Sequence, residues 1–369
     1  MFVVVNEPLF EGKLGRRKFL KRAGIVGATL PVAGGLVVSA CSGSATPAAP
    51  STVNPNSVKL PPPTSNATKV STAETPEQID AEHKKGIEDF LKNQTTPLTK
   101  GKGMVELAPR VENGVKIWDL TMDEVEWETV PGKLEKARGY NKMIPGPTLR
   151  ATVGDRVRVN VKNNLTESST IHWHGILIEN KQDGVPFVTQ DPIKPGASFT
   201  YEFTVPNPGS HMYHSHLNSA DQVNRGLLGA FIIEPKDKTG WPAYDKEVIL
   251  ILNDSLLGFT INGKGFPATD AIAMKTTEKV LVRWMNEGMM YHPMHLHGGT
   301  MRVFQRDGYL MPQGQWFDCD NLDIAPGSRM DCIMTVPNPG IWAFHCHILS
   351  HAEAPNGFFG LVTAVVAQA

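Results

Sequence analysis

The sequence predicts an all-β chain in which one β-domain occurs twice in tandem, and three observations carry the prediction. Short runs such as Arg156-Val157-Arg158-Val159-Asn160-Val161 alternate polar and apolar residues, the period of a strand with one buried face. Turn residues punctuate the runs at Pro145-Gly146-Pro147, Val153-Gly154-Asp155, Pro195-Gly196 and Pro326-Gly327. The stretch Thr204-Val205-Pro206-Asn207-Pro208-Gly209 returns unchanged as Thr335-Val336-Pro337-Asn338-Pro339-Gly340, an offset of 131. Evenly spaced short strands with turn signals describe a sandwich or a barrel.

The elements follow in chain order. Residues 1–41 predict an export signal. Arg16-Arg17 precede an apolar, glycine-rich stretch from Ala23 to Ala40, the pattern of twin-arginine (Tat) export, and the stretch is too short and glycine-rich to favour a stable membrane span. It ends Val38-Ser39-Ala40-Cys41, a lipoprotein-like box, so Cys41 is a candidate lipid anchor, with ordinary cleavage nearby as the alternative. Residues 42–103 predict a spacer rich in Pro, Ser and Thr, then a short helix from Thr75 to Asn93. Thr75 caps that helix, Pro76 takes its first position, and Ile79, Ile87, Phe90 and Leu91 supply its apolar face. Residues 104–240 and 241–369 are the two β-domains. The total of 369 residues admits two or three domains, and the repeat selects two.

Charge excludes one class of function. Lys+Arg is 36 and Asp+Glu 37, a net charge of -1, which offers nothing to a nucleic-acid backbone. Four Cys in this length exclude a disulfide scaffold. Cys319 and Cys332 are nonetheless candidates for a single disulfide in an exported protein.

Histidine carries the chemistry. Of 12 His, eleven lie at or after His172, in four short clusters. A strand points residues i and i+2 the same way, so each His-x-His pair aims two imidazoles at one place. His172 and His174 map by 123 onto His295 and His297, and His214 and His216 map by 131 onto His345 and His347. Eight matched imidazoles exceed the needs of one tetrahedral ion, so several metal ions are implied, and imidazole suits Zn, Cu, Fe and Ni.

The second copy adds another set. Cys346 stands between His345 and His347, so it faces the opposite side of its strand, where His292 and His351 can join it. Two His and one Cys with a weak or absent axial ligand describe a blue-copper electron-transfer centre. The offsets place Ser169, Ser215 and Ala220 at the equivalent positions of the first copy, which therefore has no such centre. Met285, Met289, Met290, Met294 and Met301 crowd the third cluster and are first of all core packing, with a metal-ion role as the alternative. His211 is a neighbour of a cluster rather than a ligand, and His83 lies on a solvated face.

The four motifs are His172-Trp173-His174-Gly175, His214-Ser215-His216, His292-Pro293-Met294-His295-Leu296-His297-Gly298 and His345-Cys346-His347-Ile348-Leu349-Ser350-His351. With them, residues 104–369 resemble the multicopper oxidases of the two-domain, laccase-like kind. The resemblance implies two cupredoxin-like Greek-key β-sandwiches and four coppers per functional unit. It implies that His292, Cys346 and His351 hold a type 1 copper and that His172 and His295 hold a type 2 copper. It assigns His174, His214, His216, His297, His345 and His347 to a type 3 pair. The implied partners are dioxygen and small reducing substrates such as phenols, with electrons entering through an exposed edge of His292 or His351.

The same resemblance implies a proton relay at Asp183, whose plainer role is an Asp-Gly turn, and a weaker one at Glu353. It implies a homotrimer in which the first domain of one chain meets the second domain of the next, with trinuclear sites between subunits. Many relatives place Met at the axial position. Here the run after His351 has none; allowing the loop two extra residues, as Pro355 suggests, puts Phe358 there as a non-coordinating axial residue, and without that allowance counting lands on Asn356. A copper(I) or manganese oxidase is an alternative activity. A copper nitrite reductase is another, disfavoured by the complete set of eight His. The expected location is the periplasm or the cell surface.

Overall fold

The computed structural model describes residues 75–369; the export signal, Cys41 and the proline-rich spacer lie outside them. The fold is all-β, with two sandwiches in succession and one long helix before them. That helix runs Pro76–Asn93 and starts as its sequence requires: the Thr75 side chain accepts from the Gln78 amide, and the Gln78 side chain accepts from the Thr75 amide. Its buried face is narrower than the pattern predicts. Phe90 is buried, whereas Ile87 and Leu91 are each 40% exposed, because the helix lies on the second sandwich along one edge only.

The two sandwiches repeat one topology. In the first, Val115–Val130 runs parallel to Arg156–Asn163, which is antiparallel to Ser198–Thr204. In the second, Lys246–Asn253 runs parallel to Val280–Asn286, which is antiparallel to Arg329–Thr335. The facing sheets repeat as well. Leu149–Thr152, Leu228–Glu234, Gly209–His214 and His172–His174 are neighbours in that order. Their counterparts are Ile272–Lys275, Val362–Gln368, Gly340–Cys346 and His292–Leu296, beyond which lies one further strand, Asn321–Ile324.

Each sandwich buries its own core. Trp118, Val159, Trp173, Tyr201 and Phe231 fill the first, and Trp284, Met294, Val303, Phe344 and Cys346 the second. A third cluster of Met212, Leu228, Ile232, Ile251 and Met285 glues the sandwiches together. Beside it runs a buried ionic seam. Arg283, 1% exposed, donates to Glu247 and Asp331 at 2.8 Å each, and Arg150 bridges Glu234 at 2.7 Å and Glu247 at 2.6 Å. Charges so far from water persist only when paired this completely, and the pairing fixes the register of one sandwich on the other.

Candidate metal centres

Register brings the His-x-His pairs together. His172–His174 is antiparallel to Gly209–His214 and sets His172 opposite His214. The second sandwich repeats this, with His295 opposite His345. In the first quartet the His172 ring lies 5.7, 5.3 and 5.3 Å from those of His174, His214 and His216. His174 Nδ1 is 3.2 Å from His214 Nε2. In the second, the His295 ring lies 4.7, 5.7 and 5.5 Å from His297, His345 and His347, and the Nε2 atoms of His297 and His345 are 3.1 Å apart.

Backbone carbonyls orient both quartets alike. His172 Nδ1 donates to the Asp183 carbonyl at 2.8 Å, and His295 Nδ1 to the Asp320 carbonyl at 3.1 Å. His214 Nδ1 donates to the Ser215 carbonyl at 2.9 Å, and His345 Nδ1 to the Cys346 carbonyl at 3.1 Å. Such bonds fix the tautomer and leave Nε2 as a lone-pair donor. Burial lowers several of these rings, His172 among them. It pushes His214 down to about 4, and together with repulsion from Arg329 it pushes His174 down to about 2. Burial also lowers His297 and His345. Neutral, pre-aimed imidazoles are the form a metal binds. Asp183 Oδ1 lies 3.4 Å from His172 Nδ1. Glu353 is exposed.

The ring contacts described above all stay within a quartet. The first is half-buried, while His297 and His347 of the second are exposed. Exposed apolar side chains follow or precede both in the chain: Leu177, Phe187 and Val188 come after His174, and Ile341 and Leu349 stand before His345 and after His347.

The third group is buried. Cys346 Sγ lies 3.8 Å from His292 Nδ1 and 3.7 Å from His351 Nδ1, and the two nitrogens are 3.3 Å apart. Alternation along Gly340–Cys346 turns the thiol to the opposite side from His345, as its place between two His requires. Burial pushes the thiol up to about 11, so without a cation it holds its proton; a bound metal ion reverses that preference.

Two residues of this centre carry no sequence signal beyond their type. Asp254 follows a buried apolar strand, and its Oδ2 accepts from His292 Nε2 at 2.9 Å. Burial pushes the Asp254 carboxyl up, but bonds from His292 and from the Met289 and Met290 amides outweigh it and hold the group below its usual range. Phe259 stacks on His351, ring centres 4.3 Å apart and planes at 22°. These two overturn the expected exposed edge. His292 is fully buried with its outer nitrogen taken by Asp254, and His351 is 6% exposed with Phe259 over its face.

The axial candidates part company. Asn356 is exposed, and its amide donates to Glu82 of the helix at 2.9 Å. Phe358 packs with Phe90, Phe266 and Ala352, its ring 5.9 Å from that of Phe266. In the first sandwich, Ser169 and Ser215 do meet, but their third partner is Gln222 rather than the exposed Ala220. Both hydroxyls donate to Gln222 Oε1, at 2.7 and 2.6 Å.

Other expectations change in detail. Cys319 and Cys332 are free thiols: Cys332 is buried in the core and Cys319 Sγ turns to the Met301 carbonyl at 3.6 Å. His83 is half-buried and reaches the Pro355 carbonyl at 3.3 Å, since the helix lies on that loop. His211 is buried beside the first quartet, and burial pushes it down to about 4. Met285, Met294 and Met301 are core residues, whereas Met289 is 60% exposed.

Comparison with known proteins places this geometry. Two family profiles, both described as multicopper oxidase, match residues 121–238 and 242–363. Copper resistance protein A of Escherichia coli is 38% identical over 137 residues, covering 37% of this chain and 22% of that protein. Laccase-20 of Oryza sativa subsp. japonica is 31% identical over 250 residues, 58% of this chain and 41% of that protein. The chain thus matches less than half the length of these curated relatives. The solved Blue Copper Oxidase from Nitrosomonas europaea superposes with a TM-score of 0.64 at 30% identity, covering 69% of this chain and 86% of that one.

Proposed function

The chain belongs to the multicopper oxidase family, and within it we propose a laccase-like enzyme that couples one-electron oxidation of phenolic or similar donors to reduction of dioxygen to water. One observation carries the reading. Cys346 faces a buried pair of imidazoles, while its neighbours His345 and His347 belong to a surface quartet on the other side of the same strand. A single backbone segment therefore links an electron-accepting site to an oxygen-reducing one.

The donor sets fit copper. Two imidazoles and a thiolate suit a type 1 ion, and eight imidazoles suit one type 2 and two type 3 ions. His292, Cys346 and His351 would hold the first. His172 and His295 would hold the type 2 ion, and His174, His214, His216, His297, His345 and His347 the type 3 pair. Copper supplies one-electron transfer at the first site and multielectron reduction of dioxygen at the others. Asp254 holds His292 in its binding tautomer, and Phe358 would be the non-coordinating residue at the position where many relatives carry Met. Asp183, against His172, is positioned to hand protons to the oxygen-reducing site.

Two open quartets, each with exposed apolar side chains a few positions away in the chain, support a closed ring of three chains in which the first sandwich of one subunit meets the second of the next. Phe187→Asp should yield monomers on sedimentation that keep the blue absorption yet take up no oxygen; an active monomer would sink the ring. Arg16-Arg17 and the apolar stretch after them support Tat export to the periplasm or cell surface, with Cys41 as a lipid anchor.

A metal-ion oxidase is the second reading, favoured by Met289 and Met290, which are exposed beside the Asp254–His292 pair. The deciding experiment measures copper content, visible absorption and oxygen uptake with a phenol, copper(I), manganese(II) and nitrite in parallel. Four coppers, a blue band and phenol-driven oxygen uptake are expected. Nitrite consumption without oxygen uptake would overturn the proposal.

A further inference from the structure

We propose that the helix Pro76–Asn93 is part of the electron-donor site, and that a planar phenol docks in the cleft it walls. The inference rests on the oxidase reading and names where its substrate binds. The cleft has a volume of about 520 Å³ and draws on three parts of the chain. The helix contributes Lys85 and Asp89, the hairpin after Val115–Val130 contributes Pro131 in its turn and Lys133 at the start of its second strand, and the second sandwich contributes Leu257 and Phe259.

Phe259 gives this cleft its meaning. Its ring lines the cleft and also stacks on His351 at 4.3 Å. His351 in turn presents Nδ1 to Cys346 and His292. With the outer nitrogen of His292 closed off by Asp254, one aromatic ring separates the cleft from the buried donor set. An electron leaving a phenol in the cleft therefore has a single ring to cross.

The helix is built into this place. It lies outside both family-matched segments, 121–238 and 242–363. Phe90 stacks on Phe266 at 5.3 Å and 23°, Asn93 donates to the Thr269 carbonyl at 3.2 Å, and Glu82 holds Asn356. Phe266 itself lines the cleft, so the stacking fixes the wall to the floor.

The lining selects the substrate class. Apolar and aromatic side chains suit a flat ring, and Lys85 and Lys133, each steadied by a carboxylate (Asp89 and Glu135), keep ammonium hydrogens at the mouth for a phenolic oxygen. A metal cation meets those same two ammonium groups, and the one carboxylate in the lining, Asp89, is already paired with Lys85. In each turnover the phenol's hydroxyl O–H breaks. Its proton goes to water, its electron passes by way of Phe259 and His351 toward the one-electron acceptor that His292, Cys346 and His351 would hold, and the phenoxyl radical leaves.

The test uses the full chain, first copper-free and then loaded. Calorimetry should show 2,6-dimethoxyphenol binding to the copper-free protein, with affinity falling about 10-fold in Val130→Trp, which fills the cleft, and several-fold in Lys85→Glu on the helix. The loaded variants should retain copper content and blue absorption while the ratio of kcat/KM for the phenol to that for hexacyanoferrate(II) drops by about 10-fold in Val130→Trp. Binding and ratio unchanged in both variants, beside an intact blue band and phenol oxidation, would overturn the cleft alone. Loss of the blue band in the parent protein would overturn the oxidase reading instead.

Discussion

The corner formed by His292, Cys346 and His351 and its counterpart in the first sandwich hang from equivalent strands, paired in the same register, and do opposite things. In the second sandwich, three donor atoms face one another at 3.3 to 3.8 Å. Two imidazole nitrogens and one sulfur converging at such distances make a donor set that suits a copper ion. In the first, Ser169 and Ser215 both donate to Gln222 Oε1, and the Gln222 amide donates to the Ser168 carbonyl at 3.0 Å. Every polar group there is satisfied by another, so nothing is left over for a metal. One backbone thus hosts either a metal site or a structural knot, and a few side chains decide which.

The comparison can be broken most severely at Cys346. Cys346→Ser copies the first sandwich, so the fold should survive while the blue absorption disappears. Loss of a partner that merely orients a ligand costs about 10–100-fold, so loss of the thiolate should cost at least about 100-fold in oxygen uptake. A variant that keeps its blue band would refute the donor assignment. Next comes Asp254→Asn, which removes the carboxylate behind His292. Copper affinity at this site should fall about 10–100-fold in titrations of the copper-free protein, with the quartets loading as before.

Gln222→Ala tests the other member of the pair. It strands two buried hydroxyls and should cost about 1–3 kcal/mol of stability, read from denaturant unfolding, with the blue absorption unchanged. A change in absorption there would mean that the two corners are not independent. Ser215→Cys should have the smallest effect. It restores one donor without its imidazoles, and no new blue band should appear on copper addition.

Much of this was legible in the chain because it depends on short-range rules. The repeat of Thr204–Gly209 at Thr335–Gly340 announced two copies, and the eight His fell in register because strands alternate with a period of two. Thr75 and Pro76 announced the helix start for the same local reason. The helix face was less legible. Ile87 and Leu91 fit an apolar stripe yet stay exposed, since burial depends on how much of the helix the second sandwich can cover. The first-copy knot was half legible. Offsets found Ser169 and Ser215, but counting on to Ala220 missed Gln222, because the short helix Ser219–Gln222 turns the chain there and brings Gln222 inward.

The sequence by itself determined the all-β class, the duplication and the donor types, since these follow from periodicity and from which side of a strand a residue faces. Tertiary structure alone decided what surrounds the donors. Asp254 reaches His292 across 38 positions, and Phe259 covers His351 from a loop 92 positions earlier. The helix closes one wall of a cleft that belongs mostly to other parts of the chain. Such contacts depend on how loops and sheets pack in three dimensions, and no local pattern encodes that.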